Sequence, residues 1–275
     1  MMNTFFWKNT EGLNLYAENW VVTNPTAVIV LVHGQGEHIG RYAHVAEWYN
    51  KRGIALMAFD QQGYGKSGGQ KGHAANLDVL LNDIARFVEM TKELYPGTPV
   101  FLYGHSMGGG LLLYFALHRF PDVDGMIITS PLIRLAFQAP VLKIMIGRLL
   151  RRYVPTLTLP TGLAANFISH DHAVVSAYKK DPLVHNKLSA AAGIALLEMG
   201  DWLDTFTGTI SIPLLLMHGE QDRLTSSPAS RAFSERVGGP ITYKEWQGLW
   251  HEMHNESEKE QLFDYTLAWI KANTH

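Results

Sequence analysis

The hexapeptide Ala27-Val28-Ile29-Val30-Leu31-Val32 has no polar side chain on either side of its pleat, so as a strand it needs apolar cover on both faces. A parallel sheet between two layers of helices supplies that cover, and its crossover connections are long enough to hold the helices. The rest of the chain fits this demand. Residues 54–59, 100–103, 126–129, 214–217 and 241–245 read as further strands. Residues 42–52, 76–94, 110–118, 227–237 and 257–271 carry helical periodicity among and after them. Ahead of the hexapeptide and around it, residues 5–8 and 13–20 read as a β-hairpin closed by Asn9-Thr10-Glu11-Gly12. The expected fold class is α/β, a mostly parallel sheet flanked by helices.

One stretch interrupts the alternation. Between residues 132 and 205 no strand is legible, and residues 142–153, 164–167, 173–178 and 190–203 read as helices. A connection of that length is more than a link between strands. Residues 132–205 are therefore read as a helical cap, or lid, inserted into one core made of residues 1–131 and 206–275. The first cap helix mixes Leu142, Met145, Ile146 and Leu149 with Lys143, Arg148, Arg151 and Arg152. Such a surface suits a helix packed on the domain with its cations in water, or transient contact with a membrane or micelle.

Composition narrows the function. In 275 residues, 47% of them hydrophobic, a single large core is the default. The 23 basic and 25 acidic residues leave a net charge of -2, no footprint for a nucleic acid. With no cysteine, disulfides, thiolate catalysis and zinc–cysteine sites fall away. No run reaches the roughly 18 apolar residues of a membrane span, and the first eight residues lack the pattern of a signal peptide. A cytoplasmic protein, at most peripherally attached to a membrane and no more than a weak dimer, is the expectation.

The chemistry is concentrated in Gly104-His105-Ser106-Met107-Gly108, which follows the apolar run 99–103 and precedes an apolar helical segment. A strand that turns into a helix within so few residues strains the serine at the turn and presents its hydroxyl, and small neighbours make the room. A serine hydroxyl needs a base within hydrogen-bond reach and an acid to orient that base. In the α/β-hydrolase arrangement they follow in the order acid, then histidine, each past the end of a strand. Asp222 stands just past the run 214–217 and His251 past 241–245. Glu220 competes with Asp222, which is preferred because it opens the loop ahead of the next helix. His254 competes with His251 but sits a turn further on. His218 reads as a turn residue. The oxyanion donors are expected to be the backbone amides of Met107, next to the nucleophile, and of Gln35, in the glycine-bearing loop after the hexapeptide. Two other patterns fail on inspection. Gly63-Tyr64-Gly65-Lys66-Ser67 lacks the first glycine of a phosphate-binding loop, and His251-Glu252-Met253-His254 lacks the spacing of a zinc-protease helix.

Four segments together resemble the motif series of the monoacylglycerol lipase family: residues 33–42 (HGQGEHIGRY), 60–67 (DQQGYGKS), 104–109 (GHSMGG) and 218–224 (HGEQDRL). They run in order across residues 12–271, and the likeness weakens in the cap. The resemblance implies an α/β-hydrolase fold with a lid, a single-chain lipid ester as substrate, hydrolysis of monoacylglycerols to glycerol and fatty acid, and neither cofactor nor metal. It also implies that Glu37, Arg41, His105 and Tyr178 surround the glycerol side of the pocket. For Glu37 and Arg41 an ion pair that merely holds the oxyanion loop is the preferred expectation. Lysophospholipase or general carboxylesterase activity is the alternative, because the triad fixes the reaction and the pocket fixes the substrate.

Overall fold

The computed structural model describes residues 2–138 and 140–274. Its chain begins with the hairpin of β1 (Met2–Lys8) and β2 (Asn14–Trp20), then β3 (Ala27–Val32), α1 (Ala43–Asn50), β4 (Ile54–Phe59) and α2 (Leu77–Leu94). It continues through β5 (Val100–His105), α3 (Met107–Arg119) and β6 (Gly125–Thr129). After the inserted segment come β9 (Leu214–Gly219), α7 (Ser227–Arg236), β10 (Ile241–Trp246) and α8 (Lys259–Ala272). The eight strands form one sheet in the order β1-β2-β4-β3-β5-β6-β9-β10, antiparallel over β1-β2-β4 and parallel from β4 to β10.

The apolar hexapeptide meets both of its demands. Val28, Val30 and Val32 join the apolar layer under α2, α3 and α7. Ala27, Ile29 and Leu31 join the opposite layer under α1 and α8. Every residue of β3, β4, β5, β6 and β9 is buried, as expected of parallel strands covered on both faces. Burying each such aliphatic side chain contributes about 1.5–3 kcal/mol.

The inserted segment departs from the all-helical expectation in one respect. Besides α4 (Val141–Tyr153), α5 (His172–Lys180) and α6 (Ala190–Thr205), it contains β7 (Thr158–Pro160) and β8 (Lys187–Ser189), paired antiparallel. Three residues are too few to show a period of two, and Pro160 cannot donate to a ladder, so neither strand is legible in the sequence. Helix α4 buries none of its residues. By contrast α6, apolar but for Glu198, Asp201, Asp204 and Thr205, places Ala192, Leu196, Met199 and Leu203 in the same apolar layer as α3. Among the described residues no helix is long and apolar enough to cross a membrane.

Candidate active site

Ser106 follows the last residue of β5 directly and takes φ +53° and ψ −116°, a region that non-glycine residues avoid at about 1–3 kcal/mol. The surroundings hold it there. Its amide donates to Thr129 O (3.0 Å), and its carbonyl accepts from Gly110 N and Leu132 N. The turn closes only because its neighbours lack side chains. A Cβ on Gly108 would lie 2.1 Å from Val32 O, and one on Gly104 would lie 2.8 Å from Gly108 O.

The three residues expected to work together meet at the C-terminal edge of the sheet. His251 Nε2 lies 2.9 Å from Ser106 Oγ, and His251 Nδ1 lies 2.7 Å from Asp222 Oδ2. The other carboxylate oxygen, Oδ1, accepts the amides of Leu224 (2.7 Å) and Thr225 (3.1 Å). Ser130 Oγ fixes the His251 backbone by donating to its carbonyl (2.9 Å). Burial alone would raise the Asp222 carboxyl, but the charge of His251 and hydrogen bonds from His218 and His251 hold it well below the usual range. Burial pulls the His251 imidazole down, and the Asp222 carboxylate outweighs burial and leaves it raised.

The loop after β3 lies against this centre. Gly34 is so close that a Cβ there would stand 3.2 Å from Ser106 Cβ and 2.7 Å from Glu37 Oε1. Glu37 is buried and holds the loop: Oε1 accepts from Gly34 N (2.7 Å) and Tyr42 OH (2.6 Å), and Oε2 accepts from Arg41 (2.6 Å). Arg41 also forms a bidentate pair with Glu252 at 2.7 Å for both bonds, and its guanidinium lies 4.7 Å from the centre of the Tyr178 ring. Glu37 and Arg41 thus form the expected ion pair. Burial would raise the Glu37 carboxyl, and Arg41 keeps it below its ordinary value.

Gln35 lies in this loop, Met107 is the first residue of α3, and both line the cavity that contains Ser106. The Gln35 side chain points away, donating to Lys187 O of β8 (3.0 Å). Gly36, at φ +81°, accepts from His185 N (3.0 Å), and a Cβ there would collide with His185 O. His105 is fully buried, 3.1 Å from Thr129 Oγ1 and with its ring centre 4.7 Å from that of His251. Burial and the neighbouring His251 push it down to about 3, so it stays neutral.

A cavity of about 570 Å³ opens from these groups beneath the inserted segment. Ser106, His251, Gln35, Glu37, Tyr178 and Glu252 line its polar end, and residues such as Leu132, Ile144, Ile194, Leu197 and Leu224 line the rest. Two participants escape a reading of the sequence. Glu252 pairs with Arg41 across 211 positions, which no local pattern encodes; a carboxylate directly after His251 is the one hint. His218, read as a turn residue, is instead part of β9, without exposed surface and 3.0 Å from Asp222 Oδ2. His254 packs: it is buried, and its ring stacks on that of Tyr42 at 4.8 Å.

The family described as serine aminopeptidase, S33 matches residues 23–258. The monoacylglycerol lipase of Mycolicibacterium smegmatis is 32% identical over 262 residues, 94% of this chain and 93% of that protein. An abhydrolase domain-containing protein of Dictyostelium discoideum is 40% identical over 250 residues, 90% of this chain, which spans only 26% of that much longer relative. The crystal structure of a Paleococcus ferrophilus monoacylglycerol lipase superposes with a TM-score of 0.87 at 30% identity, over 94% of this chain and 99% of that one. With its nucleophile turn, sheet order and relatives in agreement, the chain belongs to this α/β-hydrolase family of serine hydrolases, alongside the monoacylglycerol lipases it resembles over most of its length.

Proposed function

We propose that this protein hydrolyses monoacylglycerols to glycerol and a free fatty acid, with Ser106 as nucleophile, His251 as general base and acid, and Asp222 as the group that orients and charges the imidazole. The observation that carries the reading is the continuous contact of Ser106 Oγ, His251 and Asp222 Oδ2, at 2.9 and 2.7 Å, at the polar end of an apolar cavity. Ser106 Oγ attacks the ester carbonyl while its proton passes to His251 Nε2. The amides of Gln35 and Met107 receive the negative oxygen, each worth on the order of 3 kcal/mol. When the C–O bond to glycerol breaks, His251 protonates the departing oxygen. Water, deprotonated by the same nitrogen, then attacks the acyl-enzyme, and Ser106 regains its proton as the fatty acid leaves.

Residues 132–205 act in this reading as the cap over the acyl chain, and each methylene buried beneath it contributes about 0.8 kcal/mol. Tyr178, Glu37 and His105, which line the cavity, face the glycerol, and Arg41 holds Glu37 and Glu252 in place. Helix α4 faces lipid: Val141, Leu142, Met145, Ile146 and Leu149 are all exposed, flanked by Lys143, Arg148, Arg151 and Arg152. Release of fatty acid from monoacylglycerols of graded length, compared with lysophosphatidylcholine and short p-nitrophenyl esters, tests the substrate. Monoacylglycerol should give the highest kcat/KM, and Ser106→Ala should lower it by about 10⁴-fold or more. A preference for lysophosphatidylcholine would replace the substrate reading, and an active Ser106→Ala enzyme would end the mechanism.

A further inference from the structure

Asp222 carries a second imidazole. His218 Nε2 lies 3.0 Å from Oδ2, the same oxygen that faces His251 Nδ1 at 2.7 Å. A carboxylate only accepts, so the hydrogen between them belongs to His218 Nε2. The other ring nitrogen, Nδ1, lies 2.8 Å from Ser230 Oγ on α7, whose hydroxyl can donate to it. Neither ring nitrogen is then left without a partner, and neither side chain of the His218–Asp222 pair has any exposed surface. Thr225 Oγ1 bridges the group, 2.9 Å from Asp222 Oδ2 and 3.3 Å from both His218 Nε2 and His251 Nδ1.

The other charged groups near His218 are occupied elsewhere. Glu245 is its register partner on β10, but that carboxylate accepts from Ser227, Tyr243 and Arg231. Arg231, the cation of α7 nearest in sequence to Ser230, is taken up by the same Glu245. On the other side of β9, β6 brings uncharged Ile128 and Thr129. Asp222 is therefore the carboxylate that His218 serves.

Resting on the triad proposed above, we propose that His218 is a positioning residue of the reaction: by donating to Oδ2 it fixes the Asp222 carboxylate and sets the pH at which His251 becomes free to act as a base. A carboxylate that accepts one donor more attracts the proton on His251 less strongly, and His218 adds such a donor to Oδ2 beside those of Leu224, Thr225 and His251. Removing the His218 donor therefore makes Asp222 a stronger partner for protonated His251. The acid limb of activity should move to higher pH, and kcat should fall more than KM changes, because the carboxylate is less well aimed.

The test compares pH profiles of kcat/KM for wild type, His218→Leu, His218→Gln and Ser230→Ala on one soluble ester, with labelling by a fluorophosphonate to count competent sites. For His218→Leu the acid limb should rise by about half a pH unit and kcat should fall about tenfold. His218→Gln, whose amide can donate to Asp222 and accept from Ser230, should restore most of both. Ser230→Ala, which frees the far side of the ring, should move the limb in the same direction by a smaller amount and serves if the leucine variant does not fold. An acid limb at the wild-type position in every folded variant would overturn the inference, as would equal loss in the leucine and glutamine variants with no movement of the limb. Persistent turnover by Ser106→Ala would instead sink the triad itself, so the two failures are distinct.

Discussion

At the scale of single residues, the proposed mechanism divides the site into side chains that react and backbone that must be in the right place. The strained Ser106 belongs to the first group, and its turn is paid for by two glycines whose missing Cβ atoms would strike backbone oxygens. Gln35 belongs to the second. Its side chain is engaged with Lys187 O, so its proposed catalytic group is the amide alone. Gln35→Ala should therefore keep kcat within about threefold of wild type, far from the 10²–10³-fold loss that follows removal of an oxyanion donor. A loss of that larger size would transfer the role to the side chain. Ser106 and Asp222 are legible as candidates because each stands just past an apolar run that must be a buried strand, and His251 because it follows the half-buried run 241–246 in the expected chain order. His218 and Glu252 are not, because their significance lies in which buried carboxylate or cation the fold sets against them.

At the scale of elements, the strands with no polar side chain were the easiest to read, since only burial on both faces satisfies them. Helix α6 illustrates the limit. A helix this rich in apolar residues must bury most of its surface, but its sequence does not say against what, and four of its residues join the layer under the sheet. Helix α4 has the opposite character, one side meeting α6 where Gly147 lies against Ile194 and the other side exposed. The double variant Leu142→Ser/Leu149→Ser should bind anionic vesicles several-fold more weakly and lose activity on vesicle-borne monoacylglycerol in proportion, while keeping its rate on a dissolved short ester. Equal loss on both substrates, or unchanged vesicle binding, would make α4 an ordinary packed helix.

At the scale of the whole molecule, burial of imidazoles makes stability depend on pH. His33, His44, His105, His185 and His254 are all held below their ordinary value chiefly by burial. A histidine depressed in the folded state leaves stability intact above about pH 6.5 and withdraws it as the pH falls toward the folded value, by at most about 1.4 kcal/mol per unit for each group. Asp83, pushed up to about 7 by burial, and His251, held above its ordinary value by the Asp222 carboxylate, work in the other direction, two groups against five. Tm should therefore fall between pH 7 and pH 5 in low-salt buffer; a Tm that is flat or rises over that interval would contradict the burial of these rings. The bonds from His185 N to Gly36 O and from Gln35 Nε2 to Lys187 O have one more consequence. Residues 185–187 and the loop after β3 are thereby tied into one mechanical piece, so that, under the proposed mechanism, a displacement of the segment that holds α5 and β8 reaches the amide of residue 35, the proposed oxyanion donor.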